Sequence, residues 1–220
     1  MAWFLTNLRY VAWTALAVGF LFLVWYALGE RGVSLDNETD RRLLWGVVFR
    51  WLHVLSGIMW IGHLYYFNFT QIPNMPKIPD EQKPAIGKVI APAALFWFRW
   101  GAAATLVTGL LLAQNPGYEE SFLTQALTLG AVENEGIAPF SVSKHIFIGI
   151  GMWLAIVMFV NVWFVIWPNQ QRALNINNKH PNLDAAARAA AGKTAMLFSR
   201  TNTFLSVPML VAMTGAQTLG

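Results

Sequence analysis

Long apolar runs separated by short polar segments set the pattern of this chain. Five stretches reach the roughly 20 residues that a helix needs to cross a hydrocarbon core: about residues 10–29, 43–69, 89–113, 145–167 and 194–217. Backbone polar groups in lipid have to be satisfied within their own segment, so each stretch predicts a helix. Together the stretches take more than half of the sequence, which leaves little room for a soluble domain. The pattern therefore predicts an all-α integral membrane protein. It reads as a single membrane domain over residues 1–220, a bundle of about five transmembrane helices.

The polar segments refine this picture. No small-x-small cleavage site precedes Glu30–Arg31, so the first stretch reads as a retained helix and not as a secretion signal. Residues 30–42 read as a solvated loop. Four prolines in QIPNMPKIPDEQKP (Pro73, Pro76, Pro79 and Pro84) predict an extended, polyproline-like connector between the second and third helices. Residues 115–144 form the longest loop, and Ser121–Val132 within it predicts a short interfacial helix. The run DAAARAAAGK (residues 184–193) is strongly helix-forming and predicts an extension of the fifth helix. Pro208 predicts a kink in that helix, and Arg200, Thr201, Asn202, Thr203 and Ser206 give its start a polar face suited to interhelical hydrogen bonds. A polar pocket facing Arg99 is the alternative use of that face. Internal repeats are absent, which argues against a secondary transporter.

Charge sets the orientation. Eight Lys and Arg residues fall on the side of the amino terminus, second loop and fourth loop, against four on the other side. The positive-inside rule then places the amino terminus in the cytoplasm and the carboxyl terminus outside. The net charge of +4 is thus a topology signal and does not call for nucleic acid as a partner. Cysteine is absent, which excludes disulfides, thiolate metal sites and covalent c-type haem through C-x-x-C-H, but not non-covalent haem. Trp3, Trp25, Trp45, Trp163 and Trp167 lie near predicted helix ends, as an interfacial belt requires, while Trp60, Trp97 and Trp100 lie deeper.

Ionisable residues inside the spans carry the candidate chemistry, because charge at bilayer depth is costly and marks function. All 11 acidic residues fall in loops, whereas Arg50, Arg99 and Arg200 fall within helices. Arg99 lies near mid-bilayer by residue count and remains protonated there, so it wants an anion or several carbonyl acceptors. Haem propionates, an anionic substrate, a lipid headgroup and an acidic partner helix are all candidates. Snorkelling to the interface is the plain structural reading of the three arginines.

His53 and His63 share the second helix. Their ten-residue separation is about 80° short of three turns and about 15 Å of rise. They occupy one half of the helix surface at two depths and cannot grip one metal together. Each is a candidate axial ligand, and Arg50 lies three residues before His53 as a candidate propionate clamp. Gly57 and Gly62 would let a flat macrocycle approach. His145 opens the fourth helix roughly 10 Å shallower than His53, and His180 reads as a solvated loop residue. The candidate cofactor-binding set is His53, His63, His145, Arg50 and Arg99, with His53 and His63 as metal ligands; a packed core histidine is the plain reading of each. Carboxylates and thiolates are missing nearby, which disfavours zinc. The helices hold no nucleophile–base–acid set, so any catalysis needs a cofactor.

The segments RWLHVLSGIMWIG, APAALFWFRWGA, GMWLAIVMFVNVWFVIWPNQQ and SRTNTFLSVPML, between about Arg41 and Met213, resemble the membrane domain of the cytochrome-c-linked urate oxidases. They are most similar to its short stand-alone relatives. The RWxH and WIG patterns fall at Trp51–His53 and Trp60–Gly62. In full-length members an integral membrane domain precedes a c-type cytochrome domain, and urate is hydroxylated while electrons pass to that haem. This chain carries no C-x-x-C-H, so the resemblance implies a separate acceptor, either a c-type cytochrome or a larger respiratory or other redox complex. The expectation is a multi-pass protein of the bacterial inner membrane, in contact with lipid, that binds b-type haem and transfers electrons, with urate oxidase-like oxidoreductase activity as the candidate reaction. A non-catalytic accessory subunit of a larger redox complex is the alternative. A transporter or channel fits least.

Overall fold

Apolar runs become helices in the structure, a computed structural model that describes residues 2–115, 122–133 and 138–218. Its helices are α1 (Ala2–Thr6), α2 (Leu8–Glu30), α3 (Glu38–Lys77), α4 (Lys83–Gln114), α5 (Phe122–Leu127), α6 (Ser143–Leu174) and α7 (Ala185–Thr218). No strand occurs among the described residues. Asn37 caps α3 by accepting from the Thr39 N–H at 2.9 Å, and Glu38 and Asp40 place negative charge at the positive end of the helix dipole. Asp184 caps α7 in the same way, accepting from the Ala187 N–H at 2.7 Å. The alanine-rich run does extend the fifth helix, as its propensity predicts.

Four of these helices, α2, α3, α4 and α6, are long and apolar enough to cross a membrane. The expected fifth span exists as a helix, α7, but lies outside that set. The reason is compositional: its 34 residues include the run AAARAAAGK and the polar group Ser199, Arg200, Thr201, Asn202, Thr203 and Ser206.

The extended connector predicted at residues 70–88 is not what forms. Pro73, Pro76 and Pro84 lie within helical turns, and only residues 78–82, around Pro79, leave the helix. A proline inside a helix lacks an N–H and collides with the carbonyl four residues back. Here the preceding turn widens to π geometry. The residue before each of Pro73, Pro92 and Pro168 donates five residues back: Ile72 to Phe67, Ala91 to Ile86 and Trp167 to Val162. The wider turn makes room for the ring, so proline does not end the helix. At Pro208, α7 is likewise continuous, and Ser206 Oγ donates to the Thr203 carbonyl at 2.7 Å just before it.

The chain divides into two units. The first comprises residues 1–48 with 115–117. In it Asn115 is buried and its Nδ2 donates to the Arg42 carbonyl at 3.0 Å, close against Gly46. Arg42 also pairs with Glu38 one turn earlier. The second comprises residues 49–114 and 118–220, and its core is built on Trp60, Leu64, Phe98, Met158 and Val162. Within the second unit α6 and α7 are fastened by buried amides: Asn161 Nδ2 donates to Asn202 Oδ1 at 2.8 Å, and Asn202 Nδ2 to the Met158 carbonyl at 2.9 Å. The α3 side adds Tyr65, bonded to Ser206 at 2.9 Å, and Asn68, which donates to Ser199 at 2.7 Å. The polar start of the fifth helix therefore serves interhelical bonding. The short helix expected at Ser121–Val132 appears as the shorter α5, and Ser121 lies outside the described residues. Its Ala126 backbone rests on Gly149 of α6, and Trp153 Nε1 donates to the Leu127 carbonyl at 2.9 Å.

Candidate functional site

The facing surfaces of α3 and α4 hold the two histidines of the second apolar stretch. His53 turns into α4. Its Nδ1 lies 3.0 Å from the Thr105 carbonyl oxygen and 3.4 Å from Thr108 Oγ1. A carbonyl only accepts, so in the neutral ring the proton is on Nδ1 and the lone pair is on Nε2. The Thr108 hydroxyl proton is engaged by the Ala104 carbonyl at 2.6 Å. A Cβ added at Gly109 would lie 2.8 Å from His53 Cε1 and 3.1 Å from Nδ1, so only glycine admits the imidazole this close to the α4 backbone. Eight residues earlier Gly101 meets the Trp60 backbone in the same manner, with an added Cβ 3.1 Å from the Trp60 nitrogen. The two glycines bring α3 and α4 together along one face.

His63 makes the same kind of bond to a different partner. Its Nδ1 lies 2.7 Å from the Met59 carbonyl one turn back on its own helix, which again leaves Nε2 as the lone pair. The ring borders an open groove of ≈ 450 Å³ walled by Ile58, Met59, Tyr66, Ile90 and Trp97. Added Cβ atoms at Gly57 and Gly62 would meet nothing within 4 Å, so α3 is open at both positions, and Gly62 lines the groove. The histidines are not brought together, as their spacing predicts.

Arg99 is met by rings and not by an acid. Its Cζ lies 3.7 Å from the Trp167 ring centroid, 5.2 Å from Trp163 and 6.0 Å from Trp100. Nε and Nη1 are buried and meet no hydrogen-bond acceptor among the described residues. The negative indole faces take up the positive charge in place of a counter-ion, an attraction that strengthens where water is excluded. On the polar face of α7, Ser199, Asn202 and Ser206 bond to α3 and α6, Thr201 and Thr203 bond to carbonyls of their own helix, and Arg99 meets indoles instead. Arg50 and Arg200 are exposed. His145 is 1% exposed, edge-on to Phe122 with ring centroids 5.7 Å apart. His180 is half-buried in the α6–α7 connection: its N–H donates to Asn175 Oδ1 at 2.8 Å, and its carbonyl accepts from Arg188 Nη2 at 2.8 Å. No group of three or more His, Asp or Glu side chains able to hold a metal ion occurs among the described residues.

Sequence reasoning did not single out Thr105, Thr108 and Gly109 as the seat of His53, nor Trp163 and Trp167 as the cage of Arg99. The signals were present. Trp163 and Trp167 are four residues apart on one helix face, and the small or hydroxyl residues of GAAATLVTG recur on one face of α4.

Comparison with known proteins adds one finding. Residues 136–217 match the family described as urate oxidase N-terminal. No curated protein and no solved structure matches the chain. The matched part contains α6 and α7, with Asn161, Trp163, Trp167 and Asn202, and leaves His53, His63, Arg50 and Arg99 outside. That match makes the carboxyl-terminal part of the chain, residues 136–217, similar to the urate oxidase N-terminal family.

Proposed function

We propose that this chain is an electron-transfer protein of the bacterial inner membrane that holds b-type haem through His53. In this reading α7 is a fifth span, the amino terminus is cytoplasmic and the carboxyl terminus is outside. One observation carries the proposal: within an apolar helix, His53 has its Nδ1–H engaged by the Thr105 carbonyl and its Nε2 left as a lone pair. Bonding at the other ring nitrogen is what orients a metal-ligating histidine and raises its basicity. The residues present fit the group. The imidazole is pre-oriented against Gly109, and the flank one turn on, at Gly57, is open to a flat ring. Arg50, exposed one turn before His53, supplies positive charge for propionates. Arg99, held on Trp167, keeps a second cation within the protein for an anionic substrate or a propionate. Bound haem would supply one-electron chemistry; the chain's part is to hold, orient and shield it.

A pyridine haemochrome spectrum of the purified protein tests this. We expect about one haem b per chain, lost in His53→Ala. A colourless, well-folded protein would sink the proposal. Colourless protein that co-purifies with an oxidase or reductase would establish the accessory-subunit alternative.

A further inference from the structure

The groove beside His63 offers chemistry that the His53 proposal does not use. Its walls come from the apolar segments Glu38–Lys77 and Lys83–Gln114, and Ile58, Ile90 and Trp97 are exposed along it. A molecule that reaches such a groove from a bilayer arrives through lipid, so it has to be largely apolar. Among the described residues, two ionisable side chains line the groove, the phenol of Tyr66 and His63, and His63 has its Nδ1–H already bonded to Met59. What remains is an acceptor, Nε2, in apolar surroundings. An acceptor without a donor there is costly, so the groove favours a guest carrying an O–H. Among the described residues no Lys or Arg lines it to pair with a phosphate or carboxylate, and no acid lines it to pair with an amine. The Trp97 indole and the Tyr66 ring give it aromatic walls for a flat ring.

We propose that this groove binds a membrane hydroquinone, with a ring hydroxyl donating to His63 Nε2 and the isoprenoid tail running out along Ile58 and Ile90 into lipid. The site distinguishes the two redox forms. A hydroquinone presents O–H donors, whereas the quinone presents carbonyl oxygens that only accept and would face the His63 lone pair acceptor to acceptor. The inference goes beyond the haem proposal and does not depend on it.

The test is an anaerobic titration of the protein in phosphatidylcholine nanodiscs with decylubiquinol, its dimethyl ether and decylubiquinone, with haem content read on the same samples. The quinol should bind saturably, about fivefold to tenfold tighter than either compound that lacks a hydroxyl donor, the range of one neutral hydrogen bond. His63→Leu should level the three. Ala93→Phe, which fills the groove and leaves His63 in place, should abolish binding of all three. Equal affinities in the unaltered protein, or unchanged selectivity in His63→Leu, overturn the proposal. Loss of haem in His63→Leu also overturns it, because iron would then occupy Nε2. Absence of haem from the unaltered protein sinks the His53 proposal alone, and the quinol titration still decides this one.

Discussion

His53 and His63 lie on one helix, ten residues apart, and each bonds a backbone carbonyl through Nδ1, yet their surroundings are opposite. His53 bonds across to a neighbouring helix and presses into the notch at Gly109. His63 bonds within its own helix and faces an open groove. The partner element, not the histidine, separates a ring tied to a neighbouring helix from a ring tied only to its own. Arg99 extends the contrast: Trp100 of α4 and Trp163 and Trp167 of α6 give it indole faces where a soluble protein would offer a carboxylate.

The strongest way to break the contrast is to fill the notch. Gly109→Val should cost about 2–3 kcal/mol in reversible unfolding in detergent, because the new side chain overlaps His53 and α4 cannot retreat without losing its packing. Gly57→Ala and Gly62→Ala, both in open space, should be neutral or gain up to about 1 kcal/mol from helix propensity. Equal losses at all three positions would show that His53 is not seated in α4.

Next come the rings themselves. His53→Leu should lose about 1 kcal/mol through the inter-helix bond, while His63→Leu should change stability by less than about 0.5 kcal/mol, since its bond is local and its ring faces the groove. The same unfolding measurement reports both. The reverse order would invert the assignment of the ring seated against α4 and the ring facing the groove.

The smallest effect lies outside the spans. Asp80 accepts from Lys83 Nζ at 2.6 Å in the turn between α3 and α4, and that hydrogen bond, helped by the lysine charge, holds its carboxyl below the usual aspartate range. A lowered carboxylate pKa contributes stability above the unfolded value and loses it as pH falls through the folded one. Both partners reach solvent, so the contribution is slight. NMR titration should place Asp80 below ordinary aspartate, and Lys83→Ala should return it; an unmoved Asp80 would mean that the turn does not hold this bond.

Much of the architecture was legible beforehand. The apolar runs identify the helices, since lipid-length hydrophobicity leaves the backbone few alternatives. DAAARAAAGK announces the long α7, and the polar residues of LFSRTNTFLSVPML announce interhelical bonds. Pro73 misled because single-residue preference cannot see a π turn, and Pro84 because proline also fits the first turn of a helix. The π turn depends on hydrogen bonds five residues apart and on packing that rewards a continuous helix. The candidate site was half legible: His53, His63 and Arg99 stand out as polar groups among apolar ones. Gly109, Thr105, Trp163 and Trp167 look ordinary, because each matters only through a partner distant in sequence.

Composition and period by themselves determined that this protein is helical, that its long helices suit a membrane, and where its costly side chains lie. Local sequence suffices there because burial of apolar runs and backbone satisfaction act within a segment. Which imidazole is packed and which faces a groove, and that Arg99 meets indoles, were decided by the tertiary structure alone. Those outcomes depend on the approach of α3 to α4 and of α6 to α4, contacts between residues about fifty or more apart in sequence that no single segment encodes.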